Sequence, residues 1–230
     1  MLVLQTVLLA LLRASKPSHL RLTGGTHNPM APTFDFVNEV YLPQLAKMGA
    51  RVQARLIRHG FAPAGGGVVE VDIEPSELQP LNLIGRGDEK GLQASILSAH
   101  IEPRVAKREA AYLVKKLEID QGQIEITQVS ASDGPGNVIM ISAVHEHVTE
   151  MATAFGERGR SSEAVGNDAI KEWRRYRNAD GVVGRRLADQ LLLPIALAGE
   201  GEFLTLPLSN HSETNLDTIR SFLPELQAAA

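Results

Sequence analysis

The sequence contains no cysteine. This absence excludes disulfide bonds and metal sites built on thiolates, and it suits a protein of the reducing cytoplasm. An excess of basic residues is also lacking, because 23 lysines and arginines stand against 27 aspartates and glutamates, which leaves a net charge of −4. That total does not exclude a nucleic-acid partner, since local patches of charge determine the attraction to phosphates. The 230 residues that are present are enough to bury a substantial core.

The chain also has no apolar run long enough to span a bilayer. Its most hydrophobic segment is residues 1–12, MLVLQTVLLALL, which Arg13 and Lys16 follow. No basic region precedes this run, so the segment does not have the pattern of a signal peptide. We therefore predict a core helix there and no membrane partner. Because this helix begins at the first residue, we expect it to pack against a further part of the protein.

Helices and strands alternate in the two outer segments of the chain, residues 1–85 and 181–230. The helices predicted there are 1–13, 33–47, a long one from Val183 and 213–223. The predicted strands are 18–23, 50–58, 67–74 and 203–206. We expect these two segments to form one large domain, although no internal sequence repeat is visible.

The middle of the chain, residues 86–180, has a different pattern and is bounded by two polar, glycine-containing joints, GRGDEKG and NADGVVG. The elements predicted inside it are strand 91–98, helix 103–117, strands 123–129, 137–144 and 147–154, and helix 162–178. This order predicts a small α/β domain inserted into the larger one.

One histidine stands out by its neighbours. His211 lies in the motif SNHSETN, 22 residues (211 − 189) after Asp189. A helical pattern begins at Asn215, so the imidazole is expected beside the N-terminus of a helix. Exposed backbone N–H groups and the helix dipole attract anions there, and a neutral imidazole can attack phosphorus. His211 is therefore the candidate catalytic residue.

Asp189 and Gln190 form a polar pair on the otherwise apolar helix LADQLLLPIALAG. On the residues alone, Asp189 is a helix-capping or surface carboxylate with no ligand.

A second candidate region is GGTHNPMAPTFDF, where a rigid turn with Pro32 precedes the aromatic Phe36. This arrangement suits an apolar wall for a planar ring. The alternative is that Phe36 is a core aromatic at helical spacing from Val40. Upstream, the Gln5 amide is able to donate to or accept from the polar edge of a ligand.

Three other patterns receive no site. The glycines at 65–67 lack a following Lys-Ser/Thr, so they do not form a P-loop. His145 and His147 share a strand face but lack a third ligand, and we predict no metal-binding residue. Five arginines cluster near the second joint, where they either steer RNA or serve solubility: Arg174, Arg175, Arg177, Arg185 and Arg186.

Four blocks of the sequence together resemble the RNA 3′-terminal phosphate cyclase family, in the same order and over nearly all of the chain. They are GGTHNPMAP, LIRHGFAPAGGGVVEV, LADQLLLPIALAGEGEF and SNHSETN. The resemblance implies an α+β fold of repeated β/α layers, with helices on one face of four-stranded sheets, plus a small α/β insert domain. The domains would be 1–85 with 181–230, and 86–180.

The resemblance also implies an activity, the ATP-dependent conversion of an RNA 3′-terminal phosphate to a 2′,3′-cyclic phosphate. His211 would be the nucleophile that carries AMP. The nucleotide would be bound by Gln5, Pro32, Phe36, Asp189 and Gln190. Asp189 would also orient the His211 imidazole or help to hold a divalent cation. Magnesium or manganese would accompany the ATP, the partners would be RNA 3′-phosphate ends, and the protein would be cytoplasmic. The oligomeric state is not indicated.

The sequence departs from the family pattern at three places. The glycine-rich EGGGQ segment near the family's N-terminus is absent, Arg186 stands where the family often has an aromatic residue or histidine, and the chain ends soon after its last helix. We therefore expect an N-terminally truncated chain whose isolated form is poorly stable or inactive. The alternatives are a non-catalytic cyclase-like RNA-binding protein of RNA processing or ribosome assembly, and an inactive fragment. His211 argues against the first alternative, because such relatives lack the nucleophilic histidine.

Overall fold

The computed structural model describes residues 1–223. This part of the chain contains the helices α1 Leu2–Leu12, α2 Leu42–Lys47, α3 Pro103–Leu117, α4 Ser162–Arg177, α5 Arg185–Ala198 and α6 Asn210–Phe222. A π-helical segment, Phe36–Tyr41, leads directly into α2, and a 3-10 turn spans Gln121–Gln123. The strands are β1 Ser18–Gly24, β2 Arg51–Arg58, β3 Gly67–Glu74, β4 Leu81–Leu83, β5 Glu89–Ala99, β6 Ile124–Val129, β7 Gly136–His145, β8 Thr149–Phe155 and β9 Gly201–Phe203.

The α+β class predicted from the sequence is confirmed, and most elements lie within a few residues of their predicted bounds. Two differ. Strand β9 ends at Phe203, where we predicted a strand over 203–206, because its partner β4 is only three residues long. Helix α6 begins at Asn210, three residues before the predicted start, because the Ser209 hydroxyl accepts a hydrogen bond from the Ser212 N–H and caps the helix.

The first sheet is antiparallel, with the strand order β1-β3-β2. Alternate residues of β3 face the core, where Val71 and Ile73 are almost completely buried. Helix α1 packs there through Leu4 and Leu8, which have no exposed surface. The core helix predicted for this apolar segment is thus confirmed. Within residues 1–223, no helix is both long and apolar enough to cross a membrane.

The second large sheet has four strands in the order β6-β5-β7-β8, with β5 and β6 parallel and the other pairs antiparallel. One of its faces packs against α3 and α4 through residues such as Ile96 and Ile139. The other face, through Leu97 and Met140, joins the core that contains α1 and the π-helical segment. Neighbouring residues of one strand therefore belong to two different cores.

This shared face bears on the division into domains. The sheet of residues 86–180 packs against the core of the flanking segments, while its far face carries its own helices. The boundaries at residues 86 and 181 remain a prediction. At these joints the Arg86 guanidinium donates to the carbonyl oxygens of Tyr176, Ala179 and Gly181 and lies 4.0 Å from the Tyr176 ring centroid, which ties entry and exit together.

Candidate active site at the contact of α5 and α6

Helices α5 and α6 pack against each other and carry the predicted catalytic residue, His211, and the predicted nucleotide-binding residue Asp189. Helix α5 holds Asp189 in its second turn, and the first turn of α6 holds His211. His211 therefore lies within the first turn of the helix. A helix that started at Asn215 would have placed it before the N-terminus instead. The backbone N–H groups of this first turn form the positive end of the α6 dipole, which favours an anion beside the imidazole.

The His211 ring is paired with the Asp189 carboxylate. Nδ1 of His211 lies 2.9 Å from Oδ1 of Asp189, and the side chains are 81% and 14% exposed, respectively. An ionised carboxylate only accepts hydrogen bonds, so this contact places the ring proton on Nδ1. The lone pair of the neutral imidazole is then on Nε2, and the exposure of the His211 side chain leaves it open to solvent. A lone pair in this position is available for attack on an electrophile such as phosphorus.

A chain of amides continues from Asp189 towards α1. The Gln190 Nε2 donates to Oδ2 of Asp189 at 3.4 Å, and the Gln5 Nε2 donates to Oε1 of Gln190. Because Gln5 lies on α1, this chain connects the first helix with α5. Four of the six predicted site residues, Gln5, Asp189, Gln190 and His211, are thus brought together.

The remaining two predicted residues are placed differently. Phe36 is fully buried in the core, and the Arg186 guanidinium lies 5.8 Å from its ring centroid. Pro32 is half-buried in the loop that leads into the π-helical segment. Arg186 lies one helical turn before Asp189, so Phe36 packs beside the same part of α5. The Phe36 ring has no exposed surface that a nucleotide ring could contact in this structure, and the wall role of Pro32 and Phe36 stays a prediction.

The loop that carries Pro32 is fixed by a histidine that the sequence reasoning did not single out. His27 is almost completely buried, with Nδ1 2.8 Å from the Thr26 hydroxyl and Nε2 2.6 Å from Oδ2 of Asp35. Burial alone would raise the pKa of the Asp35 carboxyl, but the hydrogen bond and charge of His27 outweigh it and hold that pKa below its ordinary value. In the sequence, the only indication of this His27–Asp35 contact was the histidine in GGTHNP.

The N-terminus of α5 is occupied by a buried acid. The Gly184 N–H donates to Oε1 of Glu150 at 2.6 Å, and burial raises the pKa of Glu150 to about 7, although this hydrogen bond acts in the opposite direction. A Cβ at position 184 would lie 2.6 Å from a Glu150 oxygen, so any other residue there would displace this carboxyl. Glu150 thereby fixes the start of the helix that carries Asp189.

The other candidate clusters are placed as follows. In the described part of the chain, no group of three or more His, Cys, Asp or Glu side chains could hold a metal ion. His145 packs edge-on against Tyr176, and His147 lies 4.0 Å from a Glu146 oxygen. Arg175, Arg185 and Arg186, three of the clustered arginines, line a cavity of about 60 Å³ between α4 and α5.

The comparisons with known proteins agree with the resemblance seen in the sequence. The family model described as RNA 3′-terminal phosphate cyclase matches residues 1–226. A protein of that name from Pseudomonas fluorescens is 46% identical over 97% of this chain and 65% of its own length. Those from Ectopseudomonas mendocina and Ralstonia nicotianae are 42% and 43% identical over 96% and 97% of this chain, and over 65% and 64% of their own lengths.

The chain therefore belongs to the RNA 3′-terminal phosphate cyclase family. It spans about 65% of the length of the relatives that it matches.

Proposed function

We propose that this chain carries the nucleotidyl-transfer site of an ATP-dependent RNA 3′-terminal phosphate cyclase. The observation that carries the proposal is the exposed His211 ring, held through Nδ1 by Asp189 in the first turn of α6. Family membership supports the same reaction. The enzyme would act in the cytoplasm, which the absence of cysteine suits.

In the first step, Nε2 of His211 attacks the α-phosphorus of ATP. A P–N bond forms, the bond from the α-phosphorus to the bridging oxygen breaks, and pyrophosphate leaves. The ring becomes positively charged as its lone pair is used, and the Asp189 carboxylate at Nδ1 stabilises that charge. The N-terminus of α6 favours the phosphate beside it.

In the second step, an oxygen of an RNA 3′-terminal phosphate attacks the phosphorus of the adenylate and breaks the P–N bond, which frees His211. In the third step, the adjacent 2′-hydroxyl attacks the activated 3′-phosphorus, loses its proton and expels AMP. The 2′,3′-cyclic phosphate remains on the RNA. Because the hydroxyl is already next to the phosphorus, ring closure avoids an entropic barrier that reaches roughly 7–11 kcal/mol in well-oriented cases.

Residues other than His211 and Asp189 would bind the two substrates, ATP and RNA. Gln5 and Gln190 offer amide groups to the nucleotide, while Pro32 and Phe36 would supply its apolar wall. Magnesium or manganese, when bound to the triphosphate, would neutralise part of its charge, and we assign no protein ligand to the ion. The arginines around the cavity between α4 and α5 would attract RNA phosphates.

Incubation of the chain with α-³²P-labelled ATP tests the proposal. We expect protein-bound label that is labile to acid and stable to base, and we expect His211→Ala to abolish it. His19→Ala is the matched control, because Nδ1 of His19 also lies against an aspartate, 2.6 Å from Oδ1 of Asp72, on an exposed strand. Label that persists in His211→Ala would overturn the assignment.

The same assay addresses the non-catalytic alternative. If no adenylate forms, either in this chain or after the N-terminal part of a relative has been joined to it, while RNA binds with an affinity that falls steeply as salt rises, the protein is an RNA-binding relative. If neither label nor RNA binding is found, it is an inactive fragment.

A further inference from the structure

We propose that Asn215 is a positioning residue for the nucleophile. It holds the Asp189 carboxylate in the orientation that keeps the His211 ring proton on Nδ1 and the lone pair on Nε2. The effect on nucleotidyl transfer depends on the function proposed above, whereas the effect on the ring tautomer does not.

The side-chain amide of Asn215 contacts two oxygens of Asp189. Its Nδ2 donates to the backbone oxygen of Asp189 at 3.1 Å and to the carboxylate Oδ1 at 3.2 Å. One amide group therefore ties the side chain of Asp189 to its own backbone. The Oδ1 atom fixed in this way is the same oxygen that lies 2.9 Å from Nδ1 of His211.

The position of Asn215 on α6 explains how one helix supplies both groups. It follows His211 by four residues, so both side chains leave α6 on the same face, which is turned towards Asp189. Asn215 is half-buried, whereas the His211 side chain is 81% exposed. Water thus competes less for the amide contact than for the imidazole, and the amide is the more rigid of the two partners of Oδ1.

The orientation of the Asn215 amide is fixed by chemistry. Both Asp189 atoms beside Nδ2 are oxygens, and a carbonyl oxygen of the amide turned towards them would meet only acceptors. Apart from His211 and Asn215, the carboxylate has the contact from Gln190 to its other oxygen, at 3.4 Å. Removal of the Asn215 amide therefore leaves Oδ1 of Asp189 free to rotate away from Nδ1, and the exposed ring then samples both neutral tautomers.

Long-range ¹H–¹⁵N NMR spectra of protein labelled with ¹⁵N-histidine test this directly, at a pH where the His211 ring is neutral. In the unaltered chain we expect the Nδ1–H tautomer. In Asn215→Ala we expect a mixture of tautomers, with Nε2–H gaining. The control is Asn210→Ala, the same change in the same helix at an exposed residue, and it should leave the tautomer of His211 unchanged.

The rate of adenylate formation is the second readout. We expect Asn215→Ala to lower the maximal rate on the order of 10- to 100-fold with little change in KM for ATP, since a misdirected ring affects attack more than binding. If Asn215→Ala does not fold, Asn215→Gln keeps the amide but moves it by one methylene, and it should show the same mixture of tautomers.

The outcomes separate the two proposals. A folded variant at position 215 that keeps the Nδ1–H tautomer overturns the positioning role, even if its thermal stability falls. A chain that never forms an adenylate but shows the expected change of tautomer overturns the proposed function and leaves the positioning role intact.

Discussion

Glu150 should make the stability of the protein fall as the pH rises from about 4.5 to 7. Burial raises the pKa of this carboxyl from 4.5 to about 7, so the folded chain binds a proton there that the unfolded chain has released. The stabilising contribution is fully present below pH 4.5 and is lost as the pH rises through about 7. A change of this size in the pKa corresponds to about 3 kcal/mol of unfolding free energy.

Glu150→Gln isolates this effect. The glutamine amide oxygen can still accept from the Gly184 N–H, but the side chain no longer titrates. Urea denaturation at a series of pH values should show that the difference in unfolding free energy, original chain minus variant, decreases by about 3 kcal/mol from pH 4.5 to pH 8. The other titrating groups are present in both proteins, so their contributions cancel in this difference of unfolding free energies.

The matched control for this series is Glu77→Gln, the same substitution at an exposed glutamate. A difference that stays constant over the same range for Glu150→Gln would contradict this prediction. It would show that the carboxyl at the start of α5 is solvated in the folded protein rather than buried against Gly184.

The remaining stability predictions concern the joints and loops that position the site. Arg86→Ala should lower the unfolding free energy by about 2–4 kcal/mol, because three carbonyl oxygens lose a charged donor, whereas Lys90→Ala at an exposed ion pair should change it by about 0.5 kcal/mol or less. Equal losses in urea denaturation would contradict this. Gly60→Ala should cost about 2 kcal/mol or more, because its Cβ would lie 2.3 Å from the Gly67 backbone nitrogen, while Gly85→Ala meets no atom within 4 Å and serves as the control. A Gly60→Ala chain as stable as Gly85→Ala would show that the loop at residue 60 is loosely packed.

Local patterns in the sequence were sufficient for much of the fold. The apolar run at 1–12 predicted α1, and a strand was predicted over 67–74, where the structure has β3. Strand β4 was not predicted. It has three residues, and its parallel partner β9 lies more than a hundred positions away, so no local period marks it. The π-helical turns at 36–41 were predicted as ordinary helix.

The site was predictable only in part. His211 and Asp189 were selected by resemblance and by chemistry, and the structure brings them to 2.9 Å. The sequence left open whether Phe36 is a core residue, and in the structure its ring is fully buried. Glu150 was not identified, because one acid within an apolar strand gives no indication of which backbone N–H it will meet. Asn215 was considered only as a helix start, since its contacts depend on how α5 and α6 cross.

Mass spectrometry of peptides from the chain, after incubation with ATP and a divalent cation, tests the proposed role of His211 most directly. We expect AMP attached to the peptide that contains His211, through a bond that acid cleaves, and no such adduct in His211→Ala. AMP found on a lysine or on another histidine, with His211 unmodified, would contradict it.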